Sequence, residues 1–250
     1  MTSTEGIILR RIPYRSSGAV IDILTPTGKT GALLKGLDKK DYPKYMVTVL
    51  NKPTAETEPG TIADFILYPA KNPDSLSIVK ELDVVPGTSP AGLTPLGAAQ
   101  LMFICELTSR AVRGSQDDQM LYDFLRQCIS SLRSGNEKFI CMRYSYHLAR
   151  ILGFSPKYSP ETDKERYFDM QDGIFSAIRP IHRYYLTPAN ARLFFSLAAA
   201  GNDSLTFRSR DEYLKLWHIL MTYFSLHVAD FHIPQSLDFL KQLTLMELSL

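Results

Sequence analysis

Residues 86–95, PGTSPAGLTP, separate two parts of the chain that differ in hydrophobic period. Proline and glycine at this density are typical of a turn-rich connection. Before it, apolar residues come in short β-branched runs; after it, they recur every three or four residues, the spacing of a helix face. The sequence therefore predicts a β-rich domain at 1–82, a linker at 83–95 and a helical domain at 96–250.

Five strands are predicted ahead of the linker, because five short apolar runs are separated by glycine and proline. We expect them at Thr4–Arg11, Val20–Leu24, Thr30–Leu34, Ile62–Tyr68 and Ser75–Val79. Residues 35–60 have a less regular pattern and predict a long connection. Five such strands fit either a small sandwich or a barrel, and the pattern alone leaves both open.

Helices are predicted after the linker, and the first has clear start signals: Thr94 is a plausible N-cap and Pro95 suits the first helical position. We expect helices at Leu96–Val112, Gln116–Leu132, Glu137–Leu152, Pro188–Ala200, Arg210–His227 and Gln235–Leu245. Gly153 is the expected C-cap of the third helix. Residues 153–187 differ, and the turn at 171–173 predicts a small β-hairpin.

Charge is distributed unevenly along the chain. The whole sequence has 28 basic and 26 acidic residues, a net charge of +2. Residues 1–52 hold nine of the basic and four of the acidic residues, a net of +5, which leaves −3 for the rest. A basic N-terminal part suggests a polyanion as partner. A solvated lysine surface is the alternative interpretation.

The sequence offers little support for catalysis or metal binding. It contains no phosphate-loop, dinucleotide, nucleophile-elbow or zinc-peptidase motif. His227 and His232 are the only close histidines, and their i, i+5 spacing is poor for two ligands on one helix face. Cys105, Cys128 and Cys141 fall on apolar helix faces and are expected to be buried. We therefore predict no enzyme activity, no cofactor and no metal.

Compartment signals favour the cytoplasm. No apolar run approaches the length of about 18 residues that a membrane span needs. The three cysteines have no CxxC spacing, which is typical of a protein from a reducing compartment. We expect a cytoplasmic protein without membrane contact.

An ordered series of residues resembles the RecO family of bacterial recombination and DNA-repair mediators. The resemblance begins with Glu5-Gly6-Ile7-Ile8-Leu9-Arg10, Tyr14, Ser16-Ser17, Ile21–Thr25, Gly28 and Leu33–Gly36. It continues at 66–68, 76–81, 143–156, 167–175 and 223–243, and so spans nearly the whole chain. The resemblance implies an α+β fold: a five-stranded OB-fold barrel followed by a helical domain with a small β insert.

The insert departs from the family pattern. Many members carry four cysteines there as a zinc site, whereas residues 153–187 contain no cysteine. The resemblance therefore implies a zinc-free variant. In this variant we expect packing of Tyr167, Phe168, Phe175 and Ile178 to hold the insert.

The resemblance also implies a function without catalysis. Members of the family bind single- and double-stranded DNA, anneal complementary strands and help to load RecA onto strands coated by single-stranded DNA-binding protein. The implied protein partners are RecR and the acidic C-terminal tail of single-stranded DNA-binding protein, and the implied location is the nucleoid. An OB-fold scaffold that binds another protein, with an incidental basic loop, is the alternative.

Two sets of site residues follow from this resemblance. OB-folds bind nucleic acid through cations and exposed aromatic rings. The expected DNA contacts are Arg10, Arg11, Tyr14, Arg15, Lys29, Lys35, Lys39, Lys40, Tyr42 and Lys44. An acidic tail needs cations around an apolar pocket. Arg143 matches the arginine that opens the family's central helix, and Arg150 lies two turns further along; an ordinary helix ion pair is the alternative role of Arg143.

Overall fold

The structure is a computed structural model that describes residues 1–14, 18–34, 57–70, 72, 75–113, 119–135, 138–157, 166–199 and 205–248. The chain forms two compact units, Met1–Gly135 and Asn136–Leu250.

The first unit begins with a closed barrel of five strands. These are β1 (Thr2–Tyr14), β2 (Gly18–Thr25), β3 (Gly28–Leu34), β4 (Ile62–Tyr68) and β5 (Ser77–Val84). Their order around the barrel is β1-β2-β3-β5-β4. β3 and β5 are parallel, while the other neighbours are antiparallel. The five strands and the OB-fold barrel predicted from the sequence are confirmed, and the sandwich alternative is wrong.

The length of β1 allows the barrel to close. Its first half, Thr2–Ile7, pairs with β4, and its second half, Ile7–Tyr14, pairs with β2. Gly6 lies where the strand passes from one partner to the other, and a Cβ atom there would collide with the side chain of Ile23. Glycine is therefore required at this close approach.

The barrel encloses an apolar core that the alternating pattern of its strands predicts. Among its members, Ile8, Ile21, Ile23, Phe65 and Leu82 are at most 2% exposed. Burial of these side chains on one face of each strand fixes the register, because a shift by one residue would turn them outward.

Two helices complete the first unit: α1 (Pro95–Ala111) and α2 (Gln119–Ser134). The predicted cap of α1 is confirmed, since the hydroxyl of Thr94 accepts a hydrogen bond from the amide of Gly97 at 3.0 Å. The hydroxyl of Tyr122 on α2 donates to the carboxylate of Glu5 on β1, and Arg126 lies 3.1 Å from the same carboxylate. Both helices thus belong to the compact unit of the barrel, although they follow the linker predicted at 83–95.

The second unit contains four helices and a small sheet among its described residues. The helices are α3 (Ile140–Ile151), α4 (Pro188–Ala199), α5 (Arg210–His227) and α6 (Ser236–Leu248). α3, α4 and α5 pack against one another. Gly153 has a φ of +87° just beyond α3, the left-handed conformation expected where a glycine ends a helix.

The insert forms a three-stranded antiparallel sheet. Its strands are β6 (Tyr167–Asp169), β7 (Ile174–Ser176) and β8 (Tyr185–Leu186), in the order β7-β6-β8. The predicted hairpin is confirmed as β6 and β7. The sequence does not predict β8, because a strand of two residues has no recognisable alternation.

An aromatic cluster holds the insert to the helices. Phe168 is fully buried, and its ring centroid lies 5.0 to 6.1 Å from those of Phe175, Phe194, Phe195 and Tyr223. The prediction that Ile178 packs there is wrong, because this side chain is 80% exposed. It lies beyond the end of β7, in a turn closed by the hydroxyl of Ser176.

A buried carboxylate adds polar contacts to the insert. Oδ1 of Asp169 accepts hydrogen bonds from the amides of Gln171 and Asp172, and Nε2 of His182 lies 2.9 Å from Oδ2. Since Asp169 is only 8% exposed, these contacts compensate for the loss of its hydration. They tie β6 to the segment that leads into β8.

The predicted burial of Cys105, Cys128 and Cys141 is confirmed. Across the described ranges, no group of three or more histidine, cysteine, aspartate or glutamate side chains could hold a metal ion. Within those same ranges, every helix is too short or too polar to cross a bilayer.

Candidate nucleic-acid interface

The second half of β1 carries three of the predicted DNA contacts. Nε of Arg10 donates to Asp22 on β2 at 2.9 Å, and Arg11 lies 3.7 Å from Glu58, which precedes β4. The two guanidinium groups therefore point to different sides of β1, as adjacent residues of a strand do. Tyr14 at the end of the strand is 41% exposed, which leaves part of its ring open to a base.

A group of charged side chains lies around Asp22 and Lys29 at the end of α1. The Asp22 carboxylate accepts hydrogen bonds from Arg10 and from the hydroxyl of Ser109 at 3.0 Å. Burial lowers the pKa of Lys29, Asp22 raises it, and the positive charges of Arg10 and Arg113 lower it again. We call Arg10, Asp22, Lys29 and Arg113 the Asp22 cluster. Arg10 and Lys29 lie beside the Asp22 carboxylate and Arg113 lies near Lys29, so the cluster has a net charge of +2.

Lys29 anchors α1 to the barrel. Its ammonium group donates to the backbone carbonyls of Ser109 at 2.5 Å and Val112 at 2.9 Å. The last carbonyls of a helix have no partner within the helix, so Lys29 completes its end. That Lys29 contacts DNA stays a prediction. Because its ammonium group is held by these two carbonyls, Lys29 would contribute only a positive charge at a fixed position.

The structure brings only part of the predicted basic surface together. Arg10 and Lys29 meet at Asp22, while Arg11 lies on the other side of β1. The remaining predicted contacts lie outside the described residues: Arg15, Lys35, Lys39, Lys40, Tyr42 and Lys44. Sequence reasoning missed Arg113, because no local pattern shows that the end of α1 meets β2 and β3.

The predicted tail contacts occupy one face of α3. Arg143, His147 and Arg150 have the i, i+4, i+7 spacing that aligns side chains along a helix. Burial lowers the pKa of His147, and the charges of Arg143 and Arg150 lower it further. Both arginines therefore lie near this histidine. Arg143 is half-buried, whereas Arg150 is exposed.

An apolar crevice lies at the start of the same helix. Phe139 and Met142 line it together with Trp217 of α5 and Leu240 of α6, and Lys138 is its charged member. The crevice is too narrow to hold a water molecule. An apolar end group could enter only if these side chains moved apart.

The strand order and the following helices define the class of protein: an OB-fold barrel joined to a helical part with a small β insert. The family model described as "Recombination protein O C terminal" matches residues 95–233. This match covers more than half of the chain, and the protein therefore belongs to the RecO family. The resemblance noted in the sequence is confirmed.

Curated relatives agree with this assignment over most of the chain. "DNA repair protein RecO" of Bacteroides fragilis is 25% identical over 248 residues, which cover 97% of this chain and 99% of the relative. The protein of that name from Phocaeicola vulgatus is 26% identical over 250 residues, again 97% and 99% of the two chains. The Bacillus subtilis protein is 20% identical over 228 residues, 85% of each chain.

Proposed function

We propose that this protein is a mediator of DNA repair and homologous recombination that binds single- and double-stranded DNA. It anneals complementary strands and, together with RecR, helps to load RecA onto strands coated by single-stranded DNA-binding protein. The observation that carries this proposal is a closed OB barrel with a cationic cluster on its surface, in a chain similar along its length to DNA repair proteins. It acts without catalysis at the nucleoid.

Phosphate contacts account for binding and annealing. Cations around Asp22 and on residues 35–44 neutralise phosphates and release counterions, which gives affinity without reading the base sequence. Neutralisation also lowers the repulsion between two strands. When both strands are held on one protein, their effective concentration rises, and pairing becomes faster.

A second contact places the mediator on coated strands. Arg143 and Arg150 provide cations for the carboxylates of the acidic tail of single-stranded DNA-binding protein. The lowered pKa of His147 keeps this residue neutral between them near pH 7, so that the arginines supply the charge. Binding of the tail brings the barrel to the strand that has to be remodelled.

Binding of labelled oligonucleotides at two salt concentrations tests the proposed function. Affinity for single and double strands should fall steeply, by about 10³-fold for six phosphate contacts, between about 50 and about 200 mM salt. Mixing complementary strands with the protein should also accelerate duplex formation. A scaffold that binds only proteins would retain no oligonucleotide at either salt concentration, and that result would exclude a DNA-binding mediator.

The proposed contact with the tail predicts that Arg143→Ala lowers the affinity for the tail peptide. Truncation removes a charge-assisted hydrogen bond, so a labelled peptide with the tail sequence should bind about 10- to 100-fold more weakly. Arg210→Ala, at the exposed start of α5, is the matched control and should bind the peptide as the wild type does. Equal affinities of both variants and the wild type, measured by calorimetric titration, would remove Arg143 from the tail site.

A further inference from the structure

A cavity of about 320 Å³ opens at one end of the barrel. It lies between the start of β1, the β2–β3 turn and the ends of β4 and β5 that are joined by residues 69–76. Most of the residues that line it carry a hydroxyl, among them Thr25, Thr27, Thr30 and Ser77, but most of the surface they expose is apolar, and Leu67 and Pro69 add to it. This volume falls in the range of small-ligand sites, about 300 to 1,000 Å³.

The mostly apolar lining with hydroxyls among it suits a neutral, flat group whose edge is polar. A hydroxyl can donate or accept a hydrogen bond, so that several hydroxyls can satisfy the edge of any nucleobase. Leu67 and Pro69 offer apolar contact to the faces of such a ring. Among the described residues that line the cavity, none carries a carboxylate, which would repel a nucleic acid, or an aromatic ring.

The β2–β3 wall of the cavity is held in place before any ligand binds. Oγ1 of Thr25 donates to the carbonyl of Gly28 at 2.9 Å and lies 3.1 Å from Oγ1 of Thr27. Lys29 also lines the cavity, and its ammonium group is fixed by the end of α1. A fixed wall lowers the entropy that a ligand would lose on binding.

Lys29 connects this cavity to the Asp22 cluster. On β3, Lys29 lines the cavity, and Gly31, two residues further, pairs with Asp22 on β2. Two residues of a strand span about 7 Å, a distance that a single nucleotide can cover between its base and a neighbouring phosphate. On the other edge of β2, Arg10 of β1 pairs with the same Asp22.

We propose that the cavity receives one unstacked base of single-stranded DNA while a neighbouring phosphate lies on Arg10 and Arg113. This pocket presupposes the proposed DNA binding and adds a requirement for an unpaired base. A base inside a duplex cannot enter, so the pocket favours single over double strands. Since hydroxyl groups can form hydrogen bonds with the edge of any base, the pocket does not discriminate between base sequences.

Two oligonucleotides and three variants test the pocket in the full-length protein. The probes are a labelled strand of about twelve thymidines and the same strand with abasic sites. Thr27→Leu and Thr30→Leu fill the cavity and remove a hydroxyl each. Ser130→Leu, at an exposed position of α2, is the control. Fluorescence anisotropy measures the affinity of each protein for each oligonucleotide.

We expect wild type and Ser130→Leu to bind the abasic strand about tenfold more weakly, the magnitude typical of one bound base. Thr27→Leu and Thr30→Leu should bind both strands alike. If all four proteins lose the same affinity when the strand is abasic, the cavity does not bind a base, and the proposed DNA binding is unaffected. If wild type binds neither strand, the proposed function itself fails. Competition by maltotriose would assign the cavity to a sugar and also overturn the pocket.

Discussion

Replacing Lys39, Lys40 and Lys44 together by glutamate should weaken binding of single-stranded DNA by about a hundredfold or more near physiological salt. Each lysine that contacts a phosphate contributes about 0.7 to the slope of log affinity against log salt concentration for single strands. Loss of three contacts should therefore lower this slope by about 2. Anisotropy titrations over a series of salt concentrations measure both quantities in one experiment.

A variant with the same change in net charge separates a local contact from a long-range field. Lys157, Lys215 and Lys241 lie in the second unit, and their replacement by glutamate changes the charge of the protein equally. This control should keep most of the affinity and the full salt slope. Unchanged affinity of the first variant, or an equal loss in both, would contradict a DNA contact by residues 39–44.

Phe168→Ala should destabilise the second unit by about 3 to 5 kcal/mol, the usual cost of removing a fully buried phenylalanine. Its ring is 0% exposed and lies within 5.1 Å of the ring centroids of Phe175 and Phe195. The cavity left by the ring would separate the insert from α4 and α5. Trp217 on α5 is the only tryptophan of the chain and reports on this unit.

Urea unfolding followed by the fluorescence of Trp217 measures the effect. Ile178→Ala is the matched control, because Ile178 is on the same insert but 80% exposed, and such surface changes stay within about 0.5 kcal/mol. Wild type and Ile178→Ala should therefore share an unfolding midpoint. A Phe168→Ala midpoint equal to theirs would mean that the aromatic cluster does not stabilise the insert.

Local elements of this fold are readable from the sequence because local signals specify them. Thr94 and Pro95 mark the start of α1, and the change of hydrophobic period at the linker separates strands from helices. β4 and α5 begin and end at the predicted residues, since proline, serine and charged residues bound their apolar runs. Closure of the barrel is a different matter: pairing of β1 with β4 depends on long-range contacts, and only the family resemblance indicated it.

The candidate site is less predictable for the same reason. The predicted Arg10 and Lys29 are in the structure beside Asp22, but Arg113 lies near Lys29 only because the end of α1 is hydrogen-bonded to Asp22 of β2 and Lys29 of β3. Nothing in the sequence near Lys29 shows that its ammonium group binds helix carbonyls. Ile178 misled the prediction because an apolar residue after a strand has no local feature that distinguishes exposure from burial.

Photo-cross-linking of the intact protein to single-stranded DNA tests most directly whether residues 1–52 bind the strand. Mass spectrometry of the cross-linked peptides then locates the bound nucleotides. We predict cross-links within residues 1–52 and next to Arg113, and their loss at high salt. Cross-links confined to residues 136–250 would contradict the assignment of DNA binding to the barrel.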